Sequence, residues 1–492
     1  MPRLPLILAA LTLLAGAPPE PANWTHAWQA WHPGEGPAAA MAPLPRSRPP
    51  ALRIQAAAAH SVAAWRTVVR DIRPGQAYEF SVPYRTRGIA DEHYRVYAVL
   101  SWCADAEGRR PIQRDYAHRE RDGAGGVRLR RVLSAPAGAV SLRIELGLRG
   151  AGQGTAWFFE PRLDPVATPP ARRVRVAVTH GHPDPKAAPA ERLAQIASWI
   201  DQAGAAGSEL IVLPETIFDY GLRGPYGARA MELAGPAHEL LSSKARQYRS
   251  YVVAGAYEVR DGATYNVALL YDRAGRLAGS YRKTHLPLSE TESGIAPGGD
   301  FPVFETDFGT IGLLVCWDLW FPEPARILRL RGARMIVAPL AGDVVPRHWD
   351  VMTRARALDN AIPLAVAAAE SVSPSRIVDA NGELLAETAP GSPLAVAEVD
   401  LNGASRVRWL SVGDALGDPA SLYLQERRPG LYGALSADPA RLPLSAASLS
   451  STAPPGPSSP PKAGARPAAR AASASPQRSK LRTPSPPTPP QP

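Results

Sequence analysis

Cysteine is nearly absent: Cys103 and Cys316 are the only two in 492 residues. That count excludes a disulfide framework. The two thiols fall in segments of different texture, so both are expected to be free. Also missing is any apolar run long enough to anchor the chain permanently in a bilayer. The N-terminal stretch Leu4 to Leu14 follows Met1-Pro2-Arg3 and is too short. It runs into Ala15-Gly16-Ala17, the small-x-small form of a signal-peptidase site. Residues 1–22 are therefore expected to be a signal peptide, cut a few residues after Ala17 because Pro18 is a poor first residue. Export to the periplasm or the exterior follows, without a lipid anchor, since no cysteine closes the leader. Asn23-Trp24-Thr25 fits a glycosylation sequon and is read as a chance match.

Acidic residues are missing from the C-terminal end. Residues 451–492 hold Lys462, Arg466, Arg470, Arg478, Lys480 and Arg482 with no Asp or Glu, so much of the net charge of +10 is concentrated there. The rest of the chain is far closer to balanced, which argues against a nucleic-acid partner. After Tyr432 the composition turns to Ala, Pro and Ser. Residues 435–492 cannot bury enough apolar surface to order themselves and read as a disordered basic tail.

What is present is enough apolar sequence, 45% of the chain, for two or three domains. Residues 23–168 alternate in period two at Tyr78 to Val82, Tyr94 to Leu100, Val140 to Leu146 and Ala156 to Phe159, with one turn of helix expected near Ala56 to Trp65. This predicts an all-β sandwich accessory domain. Pro165 to Pro170 then reads as a linker. From 172 to 434 strand-length apolar runs alternate with helical ones. Val174 to Val178, Ile211 to Leu213, Tyr251 to Ala256, Val267 to Tyr271, Ile311 to Val315, Met335 to Ala338 and Leu364 to Ala368 predict buried strands. Leu193, Ile196, Trp199 and Ile200 share one helical face, and His238 to Gln247 and Pro324 to Leu330 are further helices. The class is α/β.

Two of these runs and one further strand-like stretch end on a chemically active side chain. Ile311 to Val315 stops at Cys316, Leu210 to Leu213 leads to Glu215, and Gly279 to Arg282 leads to Lys283. Alone, a cysteine in an apolar run is a small core residue. Beside a carboxylate and an amine it is a candidate nucleophile. Glu215 would serve as its base, and Lys283 with the backbone N–H of Trp317 would hold a developing oxyanion. An ammonium buried in such a pocket calls for a second carboxylate, and Glu292 and Glu290 are both candidates. No metal or other cofactor is implied, because His180 and His182 form an H-x-H pair with no third ligand placed by sequence.

With these residues in place, residues 173 to about 434 resemble the nitrilase superfamily of carbon-nitrogen hydrolases. The resemblance lies in Leu213-Pro214-Glu215, Tyr281-Arg282-Lys283-Thr284-His285-Leu286, Pro297-Gly298, Phe304 to Gly309, Cys316-Trp317-Asp318 with Phe321-Pro322-Glu323, Arg329 to Ala333, Arg354 to Asn360 and Arg427 to Tyr432. It implies a four-layer αββα sandwich, often dimeric through this domain, and a triad that maps to Glu215, Lys283 and Cys316. The family's additional Glu maps to Glu292, with Glu290 as the fallback because the loop length before Pro297 shifts the register. It also implies cleavage of a small-molecule carbon–nitrogen bond through a thioester. Asp318 stands where nitrile-hydrolysing branches usually have Glu, so an amide or ureido substrate is expected. The alternatives are a catalytically inactive scaffold and an amide acyltransferase. The first segment resembles the jelly-roll modules of carbohydrate-active enzymes through Arg73 to Phe80, Val99 to Trp102, Ala135 to Val140 and Gly154 to Glu160. Carbohydrate is thus a candidate partner there, with Trp102, Trp157 and Tyr97 as core or as platform.

Overall fold

The computed structural model describes residues 28–437 except 35–38, 48, 59, 122–124, 223, 225, 227–229, 231–234, 343–344, 370–371, 403–405 and 409. The expected leader, the sequon and nearly all of the basic tail lie outside these residues. No helix among the described residues is long and apolar enough to cross a membrane.

Residues 29–166 are sheet-rich. One sheet runs in the order Gln29–Trp31, Ser61–Val69, Ser141–Ala151, Val96–Cys103, Pro111–Tyr116. The second runs Ala40–Leu44, Ala51–Gln55, Thr155–Phe159, Ala77–Arg87, Val127–Ser134, His118–Arg121, and Arg162–Val166 also pairs with Ala77–Arg87. Alternation sends one set of side chains inward from each sheet. Leu52, Phe80, Val82 and Phe158 thereby meet Trp65, Leu100, Trp102 and Ile144 in one apolar core. The helical turn expected near Ala56 to Trp65 is instead the strand Ser61–Val69, which pairs on both edges and is rich in β-branched Val62, Thr67, Val68 and Val69. Tyr94 and Arg95 belong to a one-turn helix, Glu92–Arg95, ahead of the strand they were expected to start. Trp102 is core, whereas Trp157 is only partly buried.

From Arg173 to Asp400 the chain forms two six-stranded sheets. The first has the order Leu277–Arg282, Ala263–Tyr271, Tyr251–Arg260, Leu210–Val212, Arg173–Thr179, Leu394–Asp400. The other has the order Val303–Thr306, Gly309–Leu313, Met335–Leu340, Leu364–Ala368, Arg376–Val378, Leu384–Glu387. Helix Pro189–Ala205 buries Ile196 and Ile200, and helix Pro236–Tyr248 buries Leu241, against Ile211 and Val252 of the first sheet. The opposite face of that sheet, through Val176, Val253 and Leu270, shares a core with Ile311, Leu313, Val337 and Val366. The same core extends to Leu328 of helix Pro322–Leu330 and Trp349 of helix Pro346–Leu358. Each such aliphatic side chain contributes roughly 1.5–3 kcal/mol on burial.

The end of the 172–434 segment returns to the N-terminal sheets. Leu416–Gly417 pairs in parallel with Gln113 and Arg114 and carries Val407–Arg408 on its other edge. Val412, Ala415 and Leu422 pack on Val99 and Tyr116, with Leu422 in helix Pro419–Gln425. Residues from Leu431 onward form a separate unit, of which a 3-10 turn, Gly433–Ser436, is described.

Candidate active site

Four strand ends converge. Strands Leu210–Val212 and Tyr251–Arg260 are parallel, and two antiparallel steps bring Leu277–Arg282 into the same direction. In the other sheet Gly309–Leu313 and Met335–Leu340 are parallel. Residues just past the carboxyl ends of parallel strands line a crevice, where side chains are free of ladder pairing. Glu215, Lys283, Cys316 and Ala341 all occupy such positions.

Each is fixed by its backbone. Glu215 N–H donates to the Leu340 carbonyl across the sheets at 3.2 Å, and Lys283 N–H donates to Asn266 at 2.8 Å. Gly255 lies against the Glu215 turn so closely that a Cβ there would sit 2.4 Å from Glu215 Cα, so only glycine fits. Cys316 opens the 3-10 helix Cys316–Trp320 at φ 45°, in the left-handed region. Holding a non-glycine residue there costs on the order of 1–3 kcal/mol, and such strain turns a side chain out of the line of its strand.

The charges meet on Lys283. Its Nζ donates to Glu215 Oε1 at 2.8 Å and to Glu290 Oε1 at 2.9 Å, and its side chain is 1% exposed. Burial alone would push this ammonium down; Glu215, then Cys316 and Glu290, outweigh it and hold Lys283 above the usual lysine range. Asn266 Nδ2 bridges the same two carboxylate oxygens at 2.7 and 2.9 Å. Glu215 Oε2 accepts the Ala341 N–H at 2.7 Å. Burial raises Glu290, with Lys283 opposing and Glu215 adding to the shift. The Cys316 thiol is pushed up to about 12, first by burial and then by Glu215, against the pull of Lys283 and the Ala341 N–H. Both causes favour the thiol over the thiolate.

Asp318 holds the turn that carries Cys316. Fully buried, it accepts the Val315 N–H at 3.1 Å and the Tyr281 hydroxyl at 2.7 Å on Oδ2. Its Oδ1 accepts the His285 N–H at 2.9 Å and meets His285 Nδ1 at the same distance. The His285 ring stacks on Phe321 at 4.1 Å. Trp317, beside the thiol, is partly exposed and packs on Trp320 and Phe321.

Of the two candidate second carboxylates, Glu290 meets Lys283 and Glu292 does not. Both lie in the one-turn helix Leu288–Glu292, where two residues are about 200° of rotation. Glu292 consequently faces solvent. Sequence reasoning missed Asn266, whose only signal was a polar residue inside an apolar strand, and the bracing role of Asp318. His180 meets Ser375 at 3.2 Å and His182 stacks on Tyr220 at 4.7 Å, so the two imidazoles have separate surroundings. Cys103 is buried in its strand and, like Cys316, is free.

Comparison with known proteins identifies the family. The carbon-nitrogen hydrolase family model matches residues 175–408. The chain is 32% identical over 234 residues to hydrolase C26A3.11 of Schizosaccharomyces pombe, covering 42% of this chain and 71% of the relative. It is 30% identical over 243 residues to the omega-amidase NIT2 of Xenopus tropicalis, covering 44% of this chain and 86% of the relative. With this likeness spanning the segment that holds Glu215, Lys283 and Cys316, the chain belongs to the carbon-nitrogen hydrolases of the nitrilase superfamily, enzymes acting on carbon–nitrogen bonds other than peptide bonds.

Proposed function

We propose that the protein is an exported thiol amidohydrolase that cleaves a small amide through a thioester on Cys316, with Glu215 as general base and acid and Lys283 as oxyanion holder. The observation that carries the reading is the buried Lys283 joined to Glu215 and Glu290 next to a thiol at a positive-φ turn. The amide preference rests on the omega-amidase relative and on Asp318 after Cys316-Trp317. Export rests on the leader-like residues 1–22 alone. The two facing sheets and the helices packed on each are read as the αββα arrangement of the family.

In the proposed cycle the substrate carbonyl carbon lies over Cys316. Glu215 takes the thiol proton as sulfur attacks, and the carbonyl oxygen becomes an alkoxide held by the Lys283 ammonium and the Trp317 N–H. Glu215 returns its proton to the leaving nitrogen, the carbon–nitrogen bond breaks, and ammonia or an amine departs from the thioester. Water then gives a proton to Glu215 and attacks the thioester carbon. The second alkoxide collapses, the carbon–sulfur bond breaks, and the proton on Glu215 restores the thiol. Because burial and Glu215 raise the thiol above its ordinary range, its proton must be removed for attack, and that demand falls on Glu215. Glu290 and Asn266 touch only Lys283 and Glu215 among these groups and act as positioning residues.

The test is acid quenching during turnover of a small ω-amide, followed by peptide mass mapping. An acyl group on the Cys316 peptide is expected, and accumulation on no peptide while ammonia is released would refute the thioester. Ureido acids and nitriles in the same screen report the substrate class.

A further inference from the structure

A cavity of about 610 Å³ lies where the N-terminal sheets meet the hydrolase region. Four arginines line it against two acids: Arg131 from Val127–Ser134, Arg329 and Arg334 at and after the end of helix Pro322–Leu330, and Arg406, opposite Asp400 and Asp418. Two of these cations are neutralised. Arg131 lies 2.6 Å from Asp418, and Arg406 lies 2.6 Å from Asp115 behind the wall.

The other two have no carboxylate within ion-pair distance among the described residues. Arg329 donates to the Ala333 carbonyl at 3.0 Å, and Arg334 reaches the Asn402 side-chain oxygen at 3.5 Å. Arg329 Nε is buried with no hydrogen-bond partner among the described residues. Burial, then its arginine neighbours against the pull of Asp418, pushes Arg329 down to about 10. Arg334 is exposed to solvent and lies close to the like charges of Arg172 and Arg131. His118 on the same wall adds no charge, because burial and then Arg131 push its imidazole down to about 3. With four guanidinium groups against Asp400 and Asp418 in its lining, the cavity keeps an excess of positive charge that a bound anion would offset.

We propose that this cavity binds a small multivalent oxyanion, of the phosphate or polycarboxylate class, between Arg329 and Arg334. Planar guanidinium forks match such oxygens bidentately, and the volume admits a ligand with two or three anionic groups. The ligand joins the hydrolase region to the N-terminal sheets, since Arg131 forms the facing wall. Arg329 and Arg334 stand outside the proposed catalytic machinery.

The test is calorimetric titration of the full chain at constant ionic strength with inorganic pyrophosphate and with citrate, chloride serving as the balancing anion. Saturable binding of at least one is expected, weakened about tenfold or more in Arg334→Gln, where charge-assisted hydrogen bonds are lost. Arg334→Gln without ligand should melt no lower than the parent, because it removes a repelling charge. Tighter pyrophosphate assigns the phosphate class, and tighter citrate the polycarboxylate class. Saturation by neither, or unchanged affinity in Arg334→Gln, overturns the site. Should Arg329→Gln fail to fold, Arg334→Gln still decides.

Discussion

Lys283 is the residue on which the site's electrostatics turn. Its ammonium lies between two carboxylates away from water, so removing it strands both. Lys283→Met is expected to lower stability by about 3–5 kcal/mol in denaturant titrations and to abolish ammonia release. A variant as stable as the parent would show that Glu215 and Glu290 do not depend on it. The thiol makes a separate prediction through pH. An acid whose folded pKa is raised holds its proton longer than the unfolded chain does, so folding stability falls as pH climbs from about 9 toward 12. Cys316→Ala removes that penalty and should gain about 1–2 kcal/mol on the parent between pH 7 and about pH 10.5. Alkylation with iodoacetamide gives a third check. Cys316 should react faster than buried Cys103 at neutral pH, and Glu215→Gln should slow it, because the resting thiol needs a base.

At the scale of elements, the site depends on how strand ends are tied together. Asp318 links the Cys316 turn to Tyr281 and to His285, and Asp318→Asn would point an amide donor at two of its existing donors. A cost of about 2–4 kcal/mol and a slower enzyme are expected, read by thermal melts and by kcat. An unchanged melt would remove Asp318 from its bracing role. This level also shows what a sequence discloses. Glu215, Lys283 and Cys316 are legible because each follows a strand-like stretch, apolar before Glu215 and Cys316, where a charge or thiol stands out. The choice between Glu290 and Glu292 is not legible, since it depends on the rotation of one helical turn inside an irregular loop. Asn266 is hidden because a strand's inward polar residue looks the same in sequence whether it meets a carboxylate or water. Ser61–Val69 misreads as a helical turn because Ala63, Ala64 and the preceding alanines dilute its β-branched residues.

For the whole molecule, the segment after residue 400 decides how the regions cohere. It contributes Leu416–Gly417 to an N-terminal sheet and Leu422 to a small apolar cluster there, so the N-terminal sheets are not complete without it. Calorimetry of the full chain should show one unfolding transition across the regions, and two well-separated transitions would contradict this. Texture alone could not reveal the return, because two-residue strands and a seven-residue helix carry no measurable period. The central claim remains chemical, and it is tested most directly by ammonia release from a panel of small amides. The parent should release ammonia from at least one amide while Cys316→Ala, folded by circular dichroism, releases none above the buffer rate. Equal release by the two proteins would contradict the thioester account.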